Sequence, residues 1–181
     1  METVDFCQMK DGTQPEYEFL AVHEQRYIES LPERLLRMLE SLDSSLDGYK
    51  VSRLEHSLQS ATRVEDDGAD EEMIVATLLH DIGDIISPAN HAEVAAAILR
   101  PYVRPEVAWI VEKHGEFQMY YWAHHLGGDQ HARDKYRDHA HYQACVDFCE
   151  KYDQSSFDPD YPTKPLRYFE PMLRRVMGKP R

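Results

Sequence analysis

The chain has 181 residues and a formal net charge of −13 with its ten histidines neutral. That length suits one domain with a substantial core, and the acidic balance argues against nucleic acid as the partner, because phosphate binding needs a basic face. No apolar run approaches the roughly 20 residues of a membrane span, and METVDFCQMKDG at the N-terminus has neither the basic nor the apolar region of a signal peptide. Three cysteines (Cys7, Cys145, Cys149) make no disulfide framework, so a reduced, cytoplasmic chain is expected.

The chain reads as helix after helix, with no sustained alternating pattern that would mark a strand. The first 15 residues are expected to be mobile. A helix is predicted from about Pro32 to Ser41, with Leu35, Leu36, Met38, Leu39 and Leu42 as its apolar stripe. A loop follows from Asp43 to Tyr49. Ser52 and Glu55 read as a capping box opening a helix to about Val64. Asp70 caps the next helix, which carries Met73, Ile74, Val75, Leu78 and Leu79 and delivers His80 and Asp81 near its end. Asn90 with Glu93 reads as a second capping box, for a helix through Leu99. After Pro101 and Pro105 another helix runs to His114 and closes at Gly115. Glu116 to His139 has no clear period. A helix from about His141 to Gln154, a loop with Pro159, Pro162 and Pro165, and a helix near Leu166 to Val176 complete an all-α, single-domain chain (1–181).

Six ionisable side chains stand in or beside apolar helical segments: His56, His80, Asp81, His91, His114 and Asp153. Burying any of them unpaired costs several kcal/mol, on the order of the penalty for an isolated buried ion. A shared cation removes most of that cost, and imidazole with carboxylate suits iron, manganese or zinc. Each histidine alone would pass as a core or surface residue; the set of six, with a contiguous His-Asp, points to metal. Asp147 competes with Asp153 for the last position. Cys145 and Cys149, one turn apart, read as packing.

The order His…His-Asp…His…His…Asp resembles the HD-domain superfamily, an all-α metal-binding fold, over a core of about residues 50–155. The resemblance implies a dinuclear site: His56, His80 and Asp153 on one metal, His91 and His114 on the other, and Asp81 bridging. Asp84 would be an outer partner. "LEH" at Leu54–His56, "LLHDIG" at Leu78–Gly83 and the 24-residue separation of His56 and His80 resemble the mixed-valent diiron oxygenase branch, which includes myo-inositol oxygenase and small organophosphonate-cleaving enzymes. That branch implies two iron ions, Fe(II)/Fe(III), with O2 as co-substrate. It also implies oxidative carbon–phosphorus cleavage of a small-molecule 1-hydroxyphosphonate.

Members acting on the primary amine carry Tyr, Glu, Lys and Arg where this chain has Leu46, Tyr49, Gln118 and Glu150. The aromatic stretch Tyr120, Tyr121 and Trp122 suits a quaternary ammonium instead. Of the family's substrates this favours (R)-1-hydroxy-2-(trimethylammonio)ethylphosphonate, cleaved to glycine betaine and phosphate. Tyr49 is expected at the site as a lid or a ligand. Among Lys50, Arg53, Lys113, Arg133, Arg137, Lys151 and Lys164, the residues taken as phosphonate-binding are Arg133, Lys164 and Lys113. The alternatives are an HD-type metal-dependent phosphohydrolase of a nucleotide or small phosphoester, and a regulatory HD module without turnover.

Overall fold

The computed structural model describes residues 2–181, and among them there is no strand. Eight α-helices follow one another: α1 (Gln14–Glu29), α2 (Leu31–Ser41), α3 (Arg53–Asp66), α4 (Glu71–Leu79), α5 (His91–Leu99), α6 (Pro105–Trp122), α7 (Tyr142–Phe148) and α8 (Leu166–Met177). α3 packs along α4 and α5 along α6, while α8 lies across α2 and α4. The core lies between these layers, with Leu35 and Leu39 of α2, Val75, Leu78 and Leu79 of α4, Leu99 of α5, Val107 and Val111 of α6, and Phe169 and Leu173 of α8 all buried. A second cluster joins Ile110 and Phe117 of α6 to Cys145, Phe148 and Cys149. Both cysteines are thus packing residues, and all three cysteines are free thiols.

The helix starts follow local chemistry. Ser52 Oγ accepts from the Glu55 amide and Asp70 from the Met73 amide, satisfying donors that have no partner inside the helix. Pro105 stands at the first position of α6, where its missing N–H costs nothing.

Four expectations need correction. α1 was not anticipated; its apolar residues do not fall on one stripe, and Glu16 organises its start. One Glu16 oxygen accepts from the Asp5 amide, the other from the Thr13 amide and hydroxyl, each near 2.8 Å. α6 does not close at Gly115 but runs to Trp122, because Phe117 is fully buried beyond the glycine and packing overrides its low propensity. The Asn90–Glu93 capping box does not form: Asn90 makes no cap bond to the backbone, and its amide donates to the Glu93 side chain at 3.4 Å. The helix expected through Gln154 is α-helical only to Phe148; Cys149–Asp153 is a π-helical turn, in which the Gln154 amide reaches back five residues to the Cys149 carbonyl at 3.0 Å.

Candidate metal centre

All six residues singled out in the sequence converge on one point between α3, α4, α5, α6 and the π-turn. His56 projects from the first turn of α3. His80 is the C-terminal cap of α4 and Asp81 the next residue, where the chain leaves the helix for a 3₁₀ turn (Ile82–Ile85). That turn lies against the start of α5 so closely that a Cβ on Gly83 would sit 2.2 Å from the His91 carbonyl oxygen. Asp153 closes the π-turn, whose extra residue per turn swings it inward. Asp147, its rival, pairs with Gln143 instead.

Each histidine spends its outer nitrogen on a backbone carbonyl. Nδ1 lies 3.0 Å from the Ser156 oxygen for His56, 2.6 Å from Thr77 for His80, 3.1 Å from Pro88 for His91 and 2.7 Å from Val111 for His114. A carbonyl can only accept, so every Nδ1 carries the proton and every Nε2 turns a lone pair inward. The lone pairs meet: Nε2 of His56 and His80 are 3.1 Å apart, and those of His91 and His114 are 3.3 Å apart.

Asp81 stands between the two pairs. Its Oδ2 is 3.3 Å from His56 Nε2 and 3.2 Å from His80 Nε2; its Oδ1 is 3.3 Å from both His91 and His114 Nε2. Asp153 Oδ1 joins the first pair, 3.3 Å from His56 and 3.7 Å from His80, and its Oδ2 is buried without a hydrogen-bond partner. The donors of His56, His80 and Asp81, and those of Asp81, His91 and His114, each gather within 4.8 Å, as do those of His80, His114 and Asp153. Inward lone pairs in contact, carboxylates among them and an orphaned buried oxygen fit a divalent cation at each pair.

Without a cation, His56 and His80 are drawn toward their protonated forms. Burial opposes a charged imidazole, but Asp81 and Asp153 outweigh it, pushing His80 up to about 10 and His56 upward too. Burial would raise Asp81 and Asp153; the neighbouring histidines, with Arg53 for Asp81, hold both far below the usual carboxylate range.

Above the centre opens a cavity of about 460 Å³ whose floor includes Asp81, His91, His114 and Asp153. Arg53, one turn before His56 on the same face of α3, is the cation among the lining residues. It is paired with Asp81 and, at 3.0 Å, with Asp84, whose other oxygen is 3.4 Å from His91 Nδ1. Tyr49 and Phe157 form one wall, stacked on each other at 4.9 Å, with Phe157 stacked on His56 at 4.4 Å. Gln118, Tyr121 and Trp122 also line the cavity.

The cations ranked first for an anionic ligand lie off this lining. Lys113 pairs with Glu112 at 2.7 Å, and Lys164 with Glu65 and Asp66 at 2.7 and 2.6 Å. Arg133 rests 3.7 Å over the ring of Tyr120, which is also off the lining. Charge alone could not rank these residues; the three-residue spacing of Arg53 from His56 was the available signal. Phe157, in an aperiodic loop, gave none.

An all-helical bundle enclosing two histidine pairs around one shared carboxylate has the donor set of a metal-binding protein. Residues 53–154, more than half the chain, match the HD domain family, and the chain belongs to it. HD domains bind divalent metals, and the family is one of metal-dependent enzymes. No curated protein matches the chain. Among the described residues no helix is long and apolar enough to cross a membrane.

Proposed function

We propose that this protein is a diiron oxygenase that uses O2 to cleave the carbon–phosphorus bond of a 1-hydroxyphosphonate. The first-choice substrate is (R)-1-hydroxy-2-(trimethylammonio)ethylphosphonate, giving glycine betaine and phosphate. The observation that carries this reading is the orientation of Asp81, one oxygen toward His56 and His80 and the other toward His91 and His114. It supports a carboxylate-bridged metal pair, with Asp153 completing the His56–His80 side. Bound there, iron would supply redox change and Lewis acidity, which histidine and carboxylate ligands suit.

The chain's own residues favour a small ligand with one anionic end. Arg53 places one positive charge beside the centre, and Asp84 fixes its orientation through Nε at 3.0 Å. A polyphosphate would call for several such cations along the wall. Tyr121 and Trp122, with Tyr49 stacked on Phe157, also line the cavity and would supply aromatic contact to a trimethylammonium group, worth about 2 kcal/mol when desolvated. The face of Tyr120 already carries Arg133.

Hydrolysis of a small phosphoester is the second reading, favoured by Arg53 lying where it would meet phosphate oxygens. Iron-loaded protein is given the hydroxyphosphonate while oxygen uptake, phosphate release and the electron paramagnetic resonance spectrum are recorded. One phosphate per O2 and a mixed-valent signal perturbed by substrate are expected. Phosphate released from a phosphoester without oxygen would replace the oxygenase reading with the hydrolytic one.

A further inference from the structure

α3 grips the loop that follows the π-turn at three levels. The Arg63 guanidinium donates to the Ser155 carbonyl at 3.0 Å, and Thr62 Oγ1 accepts from the Lys164 amide at 3.1 Å. Between His56 and these contacts stands Gln59, fully buried. Its amide nitrogen donates to the Asp158 carbonyl at 2.6 Å, and its amide oxygen accepts from the Asp158 amide at 3.3 Å. Both ends of one side chain thus hold one backbone residue 99 positions away.

The gripped loop is the one that orients His56. Its Ser156 carbonyl takes the His56 Nδ1 proton at 3.0 Å, and its Phe157 ring lies on the His56 ring at 4.4 Å and 20°. An imidazole with its outer nitrogen and one face both fixed has one tautomer and one direction for Nε2. Gln59 itself is neither one of the residues that line the cavity nor one of those that supply the clustered donor atoms.

We propose that Gln59 is a positioning residue for the metal centre. Through Asp158 it sets the Ser156 carbonyl and the Phe157 ring against His56, and so aims His56 Nε2 at the His80 side of the site. Without it the Ser155–Asp158 loop loses its register on α3, and His56 is free to turn while His91 and His114 are unaffected. The inference rests on His56 being a metal ligand and does not depend on the oxygenase reading.

The test is a titration of the metal-free full chain with Co(II), read by visible absorption. It involves no turnover, so a protein without oxygenase activity can still pass it. Wild type is expected to take two Co(II). Gln59→Met should weaken one of them about 10- to 100-fold, as expected for loss of an outer partner, leaving the other unchanged. In a His56→Ala background the same substitution should cause no further loss. If Gln59→Met does not fold, Gln59→Glu serves: it keeps the volume and the acceptor but turns a carboxylate oxygen on the Asp158 carbonyl. Co(II) binding as in wild type with only a lowered melting temperature would overturn the proposal. So would additive losses in the double variant. Two normal Co(II) sites in His56→Ala alone would instead show that His56 is not a ligand.

Discussion

Nε2 of His56 and Nε2 of His80 face each other at 3.1 Å while both rings keep their protons on Nδ1. Two lone pairs cannot rest in contact, so a positive charge must lie between them, a proton in the metal-free protein or a metal ion. The His91–His114 pair repeats the arrangement at 3.3 Å. We expect chelator-stripped protein to recover two divalent ions per chain by elemental analysis, and His91→Ala or His114→Ala to recover one. Metal at a thousandfold excess over its dissociation constant should stabilise the fold by about 4 kcal/mol. Two ions retained by either variant would contradict the paired site.

Arg53 is the charge partner of the buried Asp81 carboxylate. Its side chain is 10% exposed and that of Asp81 2%. Arg53→Met should therefore cost about 3 kcal/mol in the metal-free protein, as for one partner removed from a buried pair. In the metal-loaded protein the cations themselves compensate Asp81, and the loss should shrink. Urea denaturation with chelator and with Mn(II) reads both values; an equal loss in the two would count against this role.

Gly83 keeps the chain after His80–Asp81 against the first turn of α5. A Cβ there would meet the His91 carbonyl oxygen at 2.2 Å and its Cα at 2.6 Å. These are backbone atoms, so the turn and α5 must separate. Gly83→Ala should lower stability by about 1–3 kcal/mol, and a metal that His91 and His114 would hold should be weakened before one that His56 and His80 would hold. Thermal melting and metal content together check this, and an intact second ion would refute it.

Glu16 ties the N-terminal segment to α1. The Thr13 hydroxyl and amide and the Asp5 amide lower its carboxyl from the ordinary 4.5 to about 2. A depressed folded value gives stability that is complete above 4.5 and lost as pH falls toward 2. Amide exchange in residues 5–16 should speed up over that window after correction for intrinsic rates. In Glu16→Gln it should be fast even at neutral pH. Exchange in wild type that ignores pH between 5 and 2 would exclude the carboxylate as the tie.

Local pattern was enough to identify the elements that are strongly periodic or capped. Ser52 and Asp70 could be read as helix starts because a cap acts within three residues, and α2 and α8 because their apolar residues fall on one stripe. The apolar run before His80 and Asp81 likewise marked that pair, since ionisable neighbours at the end of a buried helix demand a partner. α1 escaped although its start carries a local signal, Thr13 and Glu16 three residues apart with Pro15 between them, because its own residues carry no stripe to follow that signal. α6 escaped at Gly115 because burial of Phe117, a tertiary fact, outweighs the propensity of one glycine.

Residue types and their spacing were enough for the all-α class and for five of the six clustered side chains, because patterning, caps and the cost of burying unpaired charge act locally; Asp153 is preferred to Asp147 only through the family resemblance. How they face is set by contacts between distant segments. A π-turn swings Asp153 inward, four carbonyls turn four Nε2 atoms to the centre, and Asp81 divides its oxygens between two histidine pairs. The fold also put Arg53 at the cavity and sent Lys113 and Lys164 to other carboxylates. Direction and pairing arise from contacts between segments up to a hundred residues apart, which no window along the chain contains.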